Sequence, residues 1–339
     1  MRLNKDTVQD AAKARWVPMF AHIPWPLLWG IHHRLSGSAV GRRAIEWVFP
    51  KRKLWGQQIR QLCAALGMTE TQIQRELQRG SDTVLLRVLL YQLPRLSPAV
   101  RNQRYVVEGW EYFENERAQG LPVIFVGSHY GVSRLFPCWV ALQGENLLSI
   151  EWFDSLGGLT HLRPSTLQVR ETHDQFRARL TLEALRVLRA GGCVHTAGDH
   201  ATSGEQRSRP FTYGGGEVTF PLGMPTLSLL SGAAMIPYFC TLDESGRVRV
   251  ALKPAIRPRC RPEGFTPEQR QQEIEWLCEQ YARVHIAAVE QAPGNLFNNL
   301  PSTKRIASRG GSKRTRTARQ QRHPPGQVRP DKTPAEPQE

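Results

Sequence analysis

The stretch VIFVGSHYG at residues 123–131 decides the fold that this sequence predicts. It begins with a continuous apolar run, which is typical of a strand buried on both faces of a sheet. A turn of Gly, Ser and His comes next, and an apolar stretch with helical spacing follows at about 132–142. A strand that leads through a turn into a helix is the unit of an α/β fold, whose ligands bind at the carboxyl ends of the strands.

Further apolar runs extend this pattern along the chain. Those at 146–151, 193–197 and 234–240, together with RVRVAL at 247–252, predict strands, and those at about 172–190 and 222–232 predict helices. The alternation predicts an α/β fold with a mostly parallel central sheet flanked by helices. Residues 106–119 are predicted to form one more helix, and the Gly-rich stretch 204–223 a loop.

Composition divides the chain into three predicted parts. Residues 1–100 predict a helical, membrane-associating N-terminal region, residues 101–300 an α/β domain, and residues 301–339 a disordered basic tail. The tail holds too few apolar residues to offset the entropy of ordering it. Helix starts are marked by Thr69-Glu-Thr-Gln72 and Thr266-Pro-Glu-Gln269, and Gly80 is predicted to end the first of these helices.

The net charge of +15 lies at the two ends of the chain. Residues 1–60 hold 11 Lys and Arg against 3 Asp and Glu, and residues 301–339 hold 10 against 3, whereas residues 61–300 hold 24 of each sign. A nucleic-acid-binding domain would carry its positive charge on the folded body, so we expect no specific nucleic acid partner. Basic ends suit anionic membrane lipids, an acidic carrier protein or nonspecific contact with a polyanion through the tail.

Residues 16–31, WVPMFAHIPWPLLWGI, are apolar and aromatic, and basic residues flank them. Three prolines and a histidine interrupt the run, and no stretch of 18 uncharged apolar residues exists. Neither a membrane-spanning helix nor a signal peptide is therefore predicted. Trp beside Arg and Lys is typical of a peripheral contact with a membrane surface. The alternative is a helical cap packed on the core, and the sequence leaves both open.

The cysteines and the Gly-rich loop argue against two other kinds of site. The six cysteines form no CxxC pair, and several lie in apolar runs, which predicts a reduced protein without a zinc site. The run Gly214-Gly215-Gly216 lacks the Lys-Ser/Thr of a phosphate-binding loop and is predicted not to follow a strand, so no nucleotide site is expected.

His129 is the candidate general base. It lies in the turn after the strand at 123–127, where Gly127 and Gly131 would let a substrate approach the backbone closely. Ser128 and Gly131 are accordingly predicted to contact the substrate. The alternative is a loop histidine whose ring only bonds a backbone carbonyl.

Asp199 is the candidate carboxylate of the same site. The stretch GGCVHTAGDH at 191–200 repeats the scheme of a strand that ends in a Gly turn. We therefore expect Asp199 on the same side of the sheet as His129, within direct or water-bridged reach of the site. The alternative is a loop carboxylate that caps its own turn. His195, in the strand itself, is interpreted as structural.

Three segments in this order resemble the lipid A late acyltransferases, bacterial enzymes of the glycerolipid and lysophospholipid acyltransferase superfamily. The segments are VVEGWEYFENERAQGLPVIFVGSHYG at 106–131, RLTLEALRVLRAGGCVHTAGDH at 179–200 and YGGGEVTFPLGMPTLSLLSGAAMIPYF at 213–239. The resemblance covers roughly residues 20–292 and implies that the α/β domain at 101–300 is acyltransferase-like. It implies a reaction in which a His-x4-Asp/Glu histidine deprotonates an acceptor hydroxyl, which then attacks a fatty acyl thioester.

The resemblance implies His129 as the catalytic base, but residue 134, where the family has its carboxylate, is Arg134. Arginine cannot accept the imidazole N–H, so another carboxylate, with Asp199 first, is predicted to support His129. Arg134 is predicted to bind an anionic group of the substrate. Arg170 corresponds approximately to a family arginine that helps to bind substrate. The alternatives are Arg163 in that role, or two ordinary surface arginines.

The function predicted from this resemblance is acyl transfer from acyl carrier protein or acyl-coenzyme A to a hydroxyl or amine of a lipid or glycolipid acceptor. It would take place at the cytoplasmic face of the bacterial inner membrane, on a peripheral protein, without a metal or other cofactor. The alternative is a catalytically inactive lipid- or acyl-binding protein of the same fold, because Arg134 replaces the acidic residue.

Overall fold

The computed structural model describes residues 17, 19–48, 51–150, 173–199, 208–259, 264–297 and 300. The helices are α1 Trp25–Gly37, α2 Ala39–Val48, α3 Lys51–Ala65, α4 Glu70–Ser81, α5 Leu86–Gln92, α6 Pro98–Arg104, α7 Trp110–Ala118, α8 Leu135–Leu142, α9 His173–Arg189, α10 Gly223–Ser231 and α11 Pro267–Gln291. The strands are β1 Tyr105–Glu108, β2 Val123–Gly127, β3 Leu147–Ile150, β4 Cys193–Ala197, β5 Ser208–Tyr213, β6 Gly216–Pro221, β7 Ala234–Leu242 and β8 Val248–Leu252. The predicted tail, residues 301–339, lies outside the described residues.

Six strands form the central sheet, in the order β1-β8-β7-β2-β4-β3. Neighbours among β7, β2, β4 and β3 are parallel, β8 runs antiparallel to β7, and β1 is parallel to β8. All five residues of β2 are buried, as expected of a strand with neighbours on both sides and helices on both faces. The predicted α/β class with a mostly parallel sheet, flanking helices and a helical N-terminal region is confirmed.

The register places three strand ends at one edge of this sheet. Phe125 of β2 pairs with His195 of β4 and with Ile236 of β7. The turns that follow β2 and β4 therefore leave the sheet side by side, as the carboxyl ends of parallel strands must. We call this side of the sheet the carboxyl edge.

The N-terminal helices cover the core near this edge. Trp25 and Trp29 are buried, and their indole N–H groups donate to the carbonyls of Gly246 at 2.9 Å and Glu244 at 3.1 Å. These two tryptophans therefore belong to a helical cap packed on the core, the second of the two interpretations of residues 16–31. No helix in the described part of the chain is both long enough and apolar enough to span a bilayer.

The sequence assignment was wrong at the start of residues 106–119. These residues begin in strand β1, and the helix starts only at Trp110. Val106 and Val107 are β-branched and pair with β8, which favours a strand. Gly109 then separates the two elements at a φ of 79°, a conformation that glycine adopts without strain.

The Gly-rich stretch 204–223 is not simply a loop either. Its described part is the β5–β6 hairpin, with Gly214 and Gly215 in the turn at φ values of 56° and 73°. Two consecutive positive φ angles fit the tight turn that matches the twist of a hairpin, which explains the glycines. The Gly run does follow a strand, contrary to the prediction, but it still lacks the Lys-Ser/Thr of a phosphate-binding loop.

Both predicted capping boxes are present, at Thr69 and Thr266. Gly80, however, does not end its helix, which continues to Ser81. A Cβ at Gly80 would overlap the Trp55 ring, so this glycine serves the close packing of α4 against α3.

Candidate active site

His129 lies just beyond the carboxyl end of β2. The next residues do not enter a helix at once, because Tyr130 and Gly131 form bridges with Leu296 and Cys240. The Val132 N–H also donates to the Cys240 carbonyl, at 2.7 Å. Helix α8 therefore begins at residue 135, three residues later than predicted, and the histidine sits in a loop tied to its neighbours.

The structure brings Asp199 directly against His129. One carboxylate oxygen, Oδ2, accepts the His129 backbone N–H at 2.8 Å, and Oδ1 lies 3.0 Å from Nδ1 of the ring. The Asp199 side chain is 0% exposed, whereas that of His129 is 19% exposed. The carboxylate thus holds both the backbone and the ring of a histidine that still reaches solvent.

The charge state of Asp199 fits this arrangement. Burial opposes its ionisation, but the charge and the hydrogen bonds of His129 hold the pKa of Asp199 below its ordinary value. An ionised carboxylate only accepts hydrogen bonds, so Nδ1 carries the proton that points to Oδ1. In the neutral form of the ring the lone pair is then on Nε2, on the side of the ring away from Asp199.

Helix α11 fixes the carboxyl end of β2, which precedes His129, through Tyr281. The Tyr281 hydroxyl donates to the Gly127 carbonyl at 2.8 Å, and the Gly198 N–H donates to the same carbonyl at 2.9 Å. A Cβ at Gly198 would lie 2.6 Å from the Tyr281 ring. The glycine before Asp199 is therefore required by the protein's own packing, and Tyr281 fixes the β2 and β4 turns relative to each other.

The segment that follows α11, with Asn295 and Phe297, hydrogen-bonds to the loop that carries His129. The Phe297 N–H donates to the His129 carbonyl at 3.0 Å, and the Gly131 N–H donates to the Asn295 carbonyl at 2.7 Å. The Phe297 ring meets the His129 ring edge-on, with the centroids 5.5 Å apart. Sequence reasoning did not find these contacts, because backbone contacts between residues so far apart leave no local pattern.

His285 is a second buried group near the pair that sequence reasoning missed. It lies one helical turn after Tyr281, packed against Phe220, and its Nδ1 has no hydrogen-bond partner among the described residues. Burial lowers the pKa of His285, and the charge of Asp199 opposes that shift only in part. His285 therefore remains neutral beneath the site.

Ser128 and Gly131 lie in the loop but face the protein. A Cβ at Gly131, whose φ is 58°, would overlap the Cys240 carbonyl, and one at Gly127 would lie 2.5 Å from the Tyr238 hydroxyl. The close approach at both glycines is made by the protein's own atoms. The Ser128 Oγ is buried and has no hydrogen-bond partner within the described part of the chain. Substrate contacts of Ser128 and Gly131 stay predictions.

Of the two arginines predicted to bind substrate, the structure describes only Arg134. Arg134 is half-buried and occupies the N-cap position of α8, five residues after His129, without a capping hydrogen bond from its side chain. Arg170 lies outside the described residues. Their binding roles stay predictions.

His195 occupies a structural position in β4. It is buried, with Nδ1 2.8 Å from the Ser149 hydroxyl and Nε2 2.9 Å from the Tyr238 hydroxyl. Because the Tyr238 hydroxyl donates to the Ser133 carbonyl, the proton of the His195 ring lies on Nε2. No group of three potential metal ligands occurs among the described residues.

Comparisons with known proteins find only a distant structural likeness. No family profile matches the chain, and no curated protein does. One solved structure that matches is the crystal structure of the 1-acyl-sn-glycerophosphate (LPA) acyltransferase PlsC from Thermotoga maritima. The identity is 14%, the alignment covers 68% of this chain and 89% of the other, and the TM-score is 0.32. The case for an activity therefore rests on the residues of the site.

The arrangement has the parts that proton abstraction needs. A partly exposed imidazole directs Nδ1 at a buried carboxylate, and its other nitrogen, Nε2, lies on the opposite side of the ring. Such a carboxylate fixes the tautomer and orientation of the ring and stabilises the imidazolium when a proton arrives. The site can therefore take a proton from a hydroxyl or amine that is placed against Nε2.

Proposed function

We propose that this protein transfers a fatty acyl group from an acyl thioester to a hydroxyl or amine of a lipid or glycolipid acceptor. The observation that carries the proposal is the pair formed by His129 and Asp199, with 3.0 Å between Nδ1 and Oδ1. The resemblance to lipid A late acyltransferases supplies the reaction type. In the family motif the carboxylate follows the histidine in the same segment, and here Asp199 from the β4 turn would take its place.

The reaction follows from the chemistry of the pair. Nε2 of His129 removes the acceptor proton as the acceptor oxygen or nitrogen attacks the thioester carbonyl carbon. Asp199 accepts the hydrogen bond of the Nδ1–H group throughout, stays ionised and stabilises the imidazolium. When the tetrahedral intermediate collapses, the carbon–sulfur bond breaks and the thiolate leaves. The imidazolium returns its proton to that sulfur, so His129 ends the cycle neutral.

Arg134 and the donor complete the proposal. Arg134 would pair with a phosphate or carboxylate of the substrate, because a guanidinium matches either group with two parallel hydrogen bonds. Arg170 would assist in substrate binding, as the family resemblance implies. Acyl carrier protein or acyl-coenzyme A would bring the thioester, and the reaction would occur at the cytoplasmic face of a bacterial inner membrane.

The second candidate function is lipid or acyl binding without transfer. It was motivated by Arg134 in the position of the motif carboxylate. The contact between His129 and Asp199 favours the enzyme, because a carboxylate is available to the histidine from another strand. Arg134 remains the feature that would favour the binding protein if no transfer were found.

Transfer assays test the proposal directly. The full chain is incubated with acyl-coenzyme A or acyl carrier protein thioesters and with lipid extracts, and mass spectrometry follows the acylated product. We expect transfer by the wild type and none by His129→Ala or His129→Gln, with unchanged circular dichroism. His33→Gln is a matched control, because His33 lies on the exposed side of α1. Transfer by His129→Ala at the wild-type rate, or no transfer from any donor by the wild type, would overturn the proposal.

A further inference from the structure

Exposed apolar side chains concentrate in the N-terminal helices. Eight of the eleven large apolar residues that stand exposed in the described part of the chain fall within residues 19–54. Six of these lie on α1, α2 and α3, and we call them the N-terminal apolar face: Leu27, Ile31, Leu35, Val40, Trp47 and Leu54. Single exposed apolar residues are ordinary, but a cluster of this kind marks a surface that something covers.

Helix α1 shows why this face is not part of the core. Leu27, Ile31 and Leu35 recur every four residues and so share one side of the helix. The opposite side carries Trp25 and Trp29, which are buried against the turn between β7 and β8. The core thus accounts for one apolar side of α1 and leaves the second in solvent. Val40 and Trp47, two turns apart on α2, are 79% and 84% exposed.

The charge around the N-terminal apolar face is almost entirely positive. Residues 17–60 contain seven Lys and Arg and one acidic residue, Glu46. Arg34, Arg43 and Lys53 are exposed on the same three helices. This combination matches the surface of an anionic bilayer, where apolar side chains enter the boundary and cations meet the headgroups. Pairing with a second copy through the same face would bring like charges together.

The position of α1 ties this face to the candidate active site. Trp25 and Trp29 bond to Gly246 and Glu244, which lie in the turn that follows the carboxyl end of β7. Because β7 is parallel to β2, that turn lies at the carboxyl edge of the sheet, as does the His129 loop. The Gly131 bridge to Cys240 of β7 joins that loop to the same strand.

We propose that the N-terminal apolar face docks on anionic lipid bilayers without spanning them, and so presents the carboxyl edge of the sheet to the headgroups. Docking needs only the face and its cations, and it stands whether or not the protein transfers acyl groups. The buried Trp25 and Trp29 are not the residues that enter the lipid. Instead, they hold α1 in place so that its other side can do so.

Vesicle sedimentation of the full chain tests the docking. The probes are vesicles of phosphatidylcholine alone and vesicles of phosphatidylcholine with about 30% phosphatidylglycerol. The anionic lipid gives the second kind a negative surface that attracts Lys and Arg. We expect Ile31→Ser/Leu35→Ser/Trp47→Ser to bind the anionic vesicles at least tenfold more weakly than the wild type. Arg43→Glu/Lys53→Glu should lose about fivefold per charge and should abolish the preference for anionic vesicles.

Matched controls separate docking from general apolarity and charge. Leu182→Ser/Leu230→Ser removes exposed leucines of α9 and α10, outside the N-terminal apolar face, and should bind as the wild type does. Every variant keeps the basic residues 301–339, so their charge contributes equally to all. Circular dichroism and size-exclusion chromatography accompany each variant, because the substituted side chains are exposed and the fold should not change.

Four outcomes would overturn the proposal. They are no binding of the wild type to anionic vesicles, equal binding to both vesicle types, equal loss in the control variant, and a wild-type dimer that the triple variant dissociates. The last outcome would assign the face to a second copy of the chain. Vesicle binding without any acyl transfer would leave the docking intact and refute only the proposed reaction.

Discussion

The Nδ1 atom of His129 lies 3.0 Å from the Oδ1 atom of Asp199, although 70 positions separate the two residues in the chain. The adjacent parallel strands β2 and β4 bring them together, since each residue follows the carboxyl end of its own strand. A carboxylate from a neighbouring strand thus reaches the ring that Arg134 cannot serve.

Asp199→Asn should lower kcat by about 10² to 10⁴ with little change in circular dichroism. An amide can donate a hydrogen bond to Nδ1, which favours the tautomer with its proton on Nε2 and removes the base. The matched control is Asp82→Asn, because Asp82 also lies 3.0 Å from a histidine, Nε2 of His32, in the helical region. A tenfold or smaller effect of Asp199→Asn in steady-state assays would show that Asp199 does not serve the base.

Arg134→Ala should raise the KM for an acceptor that carries a phosphate or carboxylate by about tenfold or more, with little change in kcat. The reason is the loss of a charge-assisted pair in both the ground state and the transition state. Arg134→Lys should fall in between, and Arg134→Glu should be worse than Ala because it repels the anion. If Arg134→Glu increased transfer, the arginine would be an impediment and not a ligand.

His285→Phe should flatten the dependence of stability on pH just below pH 6.5. The folded-state pKa of His285 is lowered by burial, so the unfolded chain binds more protons in that window and the wild type loses stability as the pH falls. Each pH unit costs up to about 1.4 kcal/mol. Phenylalanine fits beside the Phe220 ring and has no nitrogen to leave unpaired. Urea titrations at pH 5.0 and 7.5 measure the difference.

The depressed pKa of Asp199 acts in a separate window. Its contribution to stability is present above its unfolded pKa of about 3.9 and is lost as the pH falls through the lower folded value. His285→Phe should therefore leave acid unfolding below pH 4 in place. An unchanged slope between pH 5 and 6.5 in the variant would contradict a neutral, buried His285.

Gly131→Ala should destabilise the protein by about 2 kcal/mol or more and should reduce transfer as well. The alanine would have to keep a φ of 58° while its Cβ met the Cys240 carbonyl, so the His129 loop would move. Gly144→Ala is the matched control, since Gly144 also has a positive φ but open space around it. It should cost only the about 1–2 kcal/mol of the left-handed conformation. Equal melting temperatures of the two variants would refute the packing argument.

Local patterns in the sequence were enough to predict most of the sheet and helices. The apolar run at 123–127 and its counterparts predicted β2, β3, β4 and β7, because a strand buried on both faces needs a continuous run of apolar residues. The stretch RVRVAL at 247–252 predicted β8, in which buried residues alternate with more exposed ones. The capping boxes at Thr69 and Thr266 also gave two helix starts. Strand β1 and the β5–β6 hairpin were missed, since short strands near glycines resemble helix ends and loops.

The sequence by itself also determined which residue types could do chemistry: a histidine and an aspartate, each after a strand and a glycine turn. Tertiary structure alone decided that the Asp199 carboxylate accepts the His129 backbone N–H. It also decided that Tyr281 and Phe297 hydrogen-bond to the β2 end and to the His129 loop. On α1, it buried Trp25 and left Leu35 exposed. Strand order and helix packing set these contacts between distant residues. A local pattern records which residues share a face, but not what lies against that face.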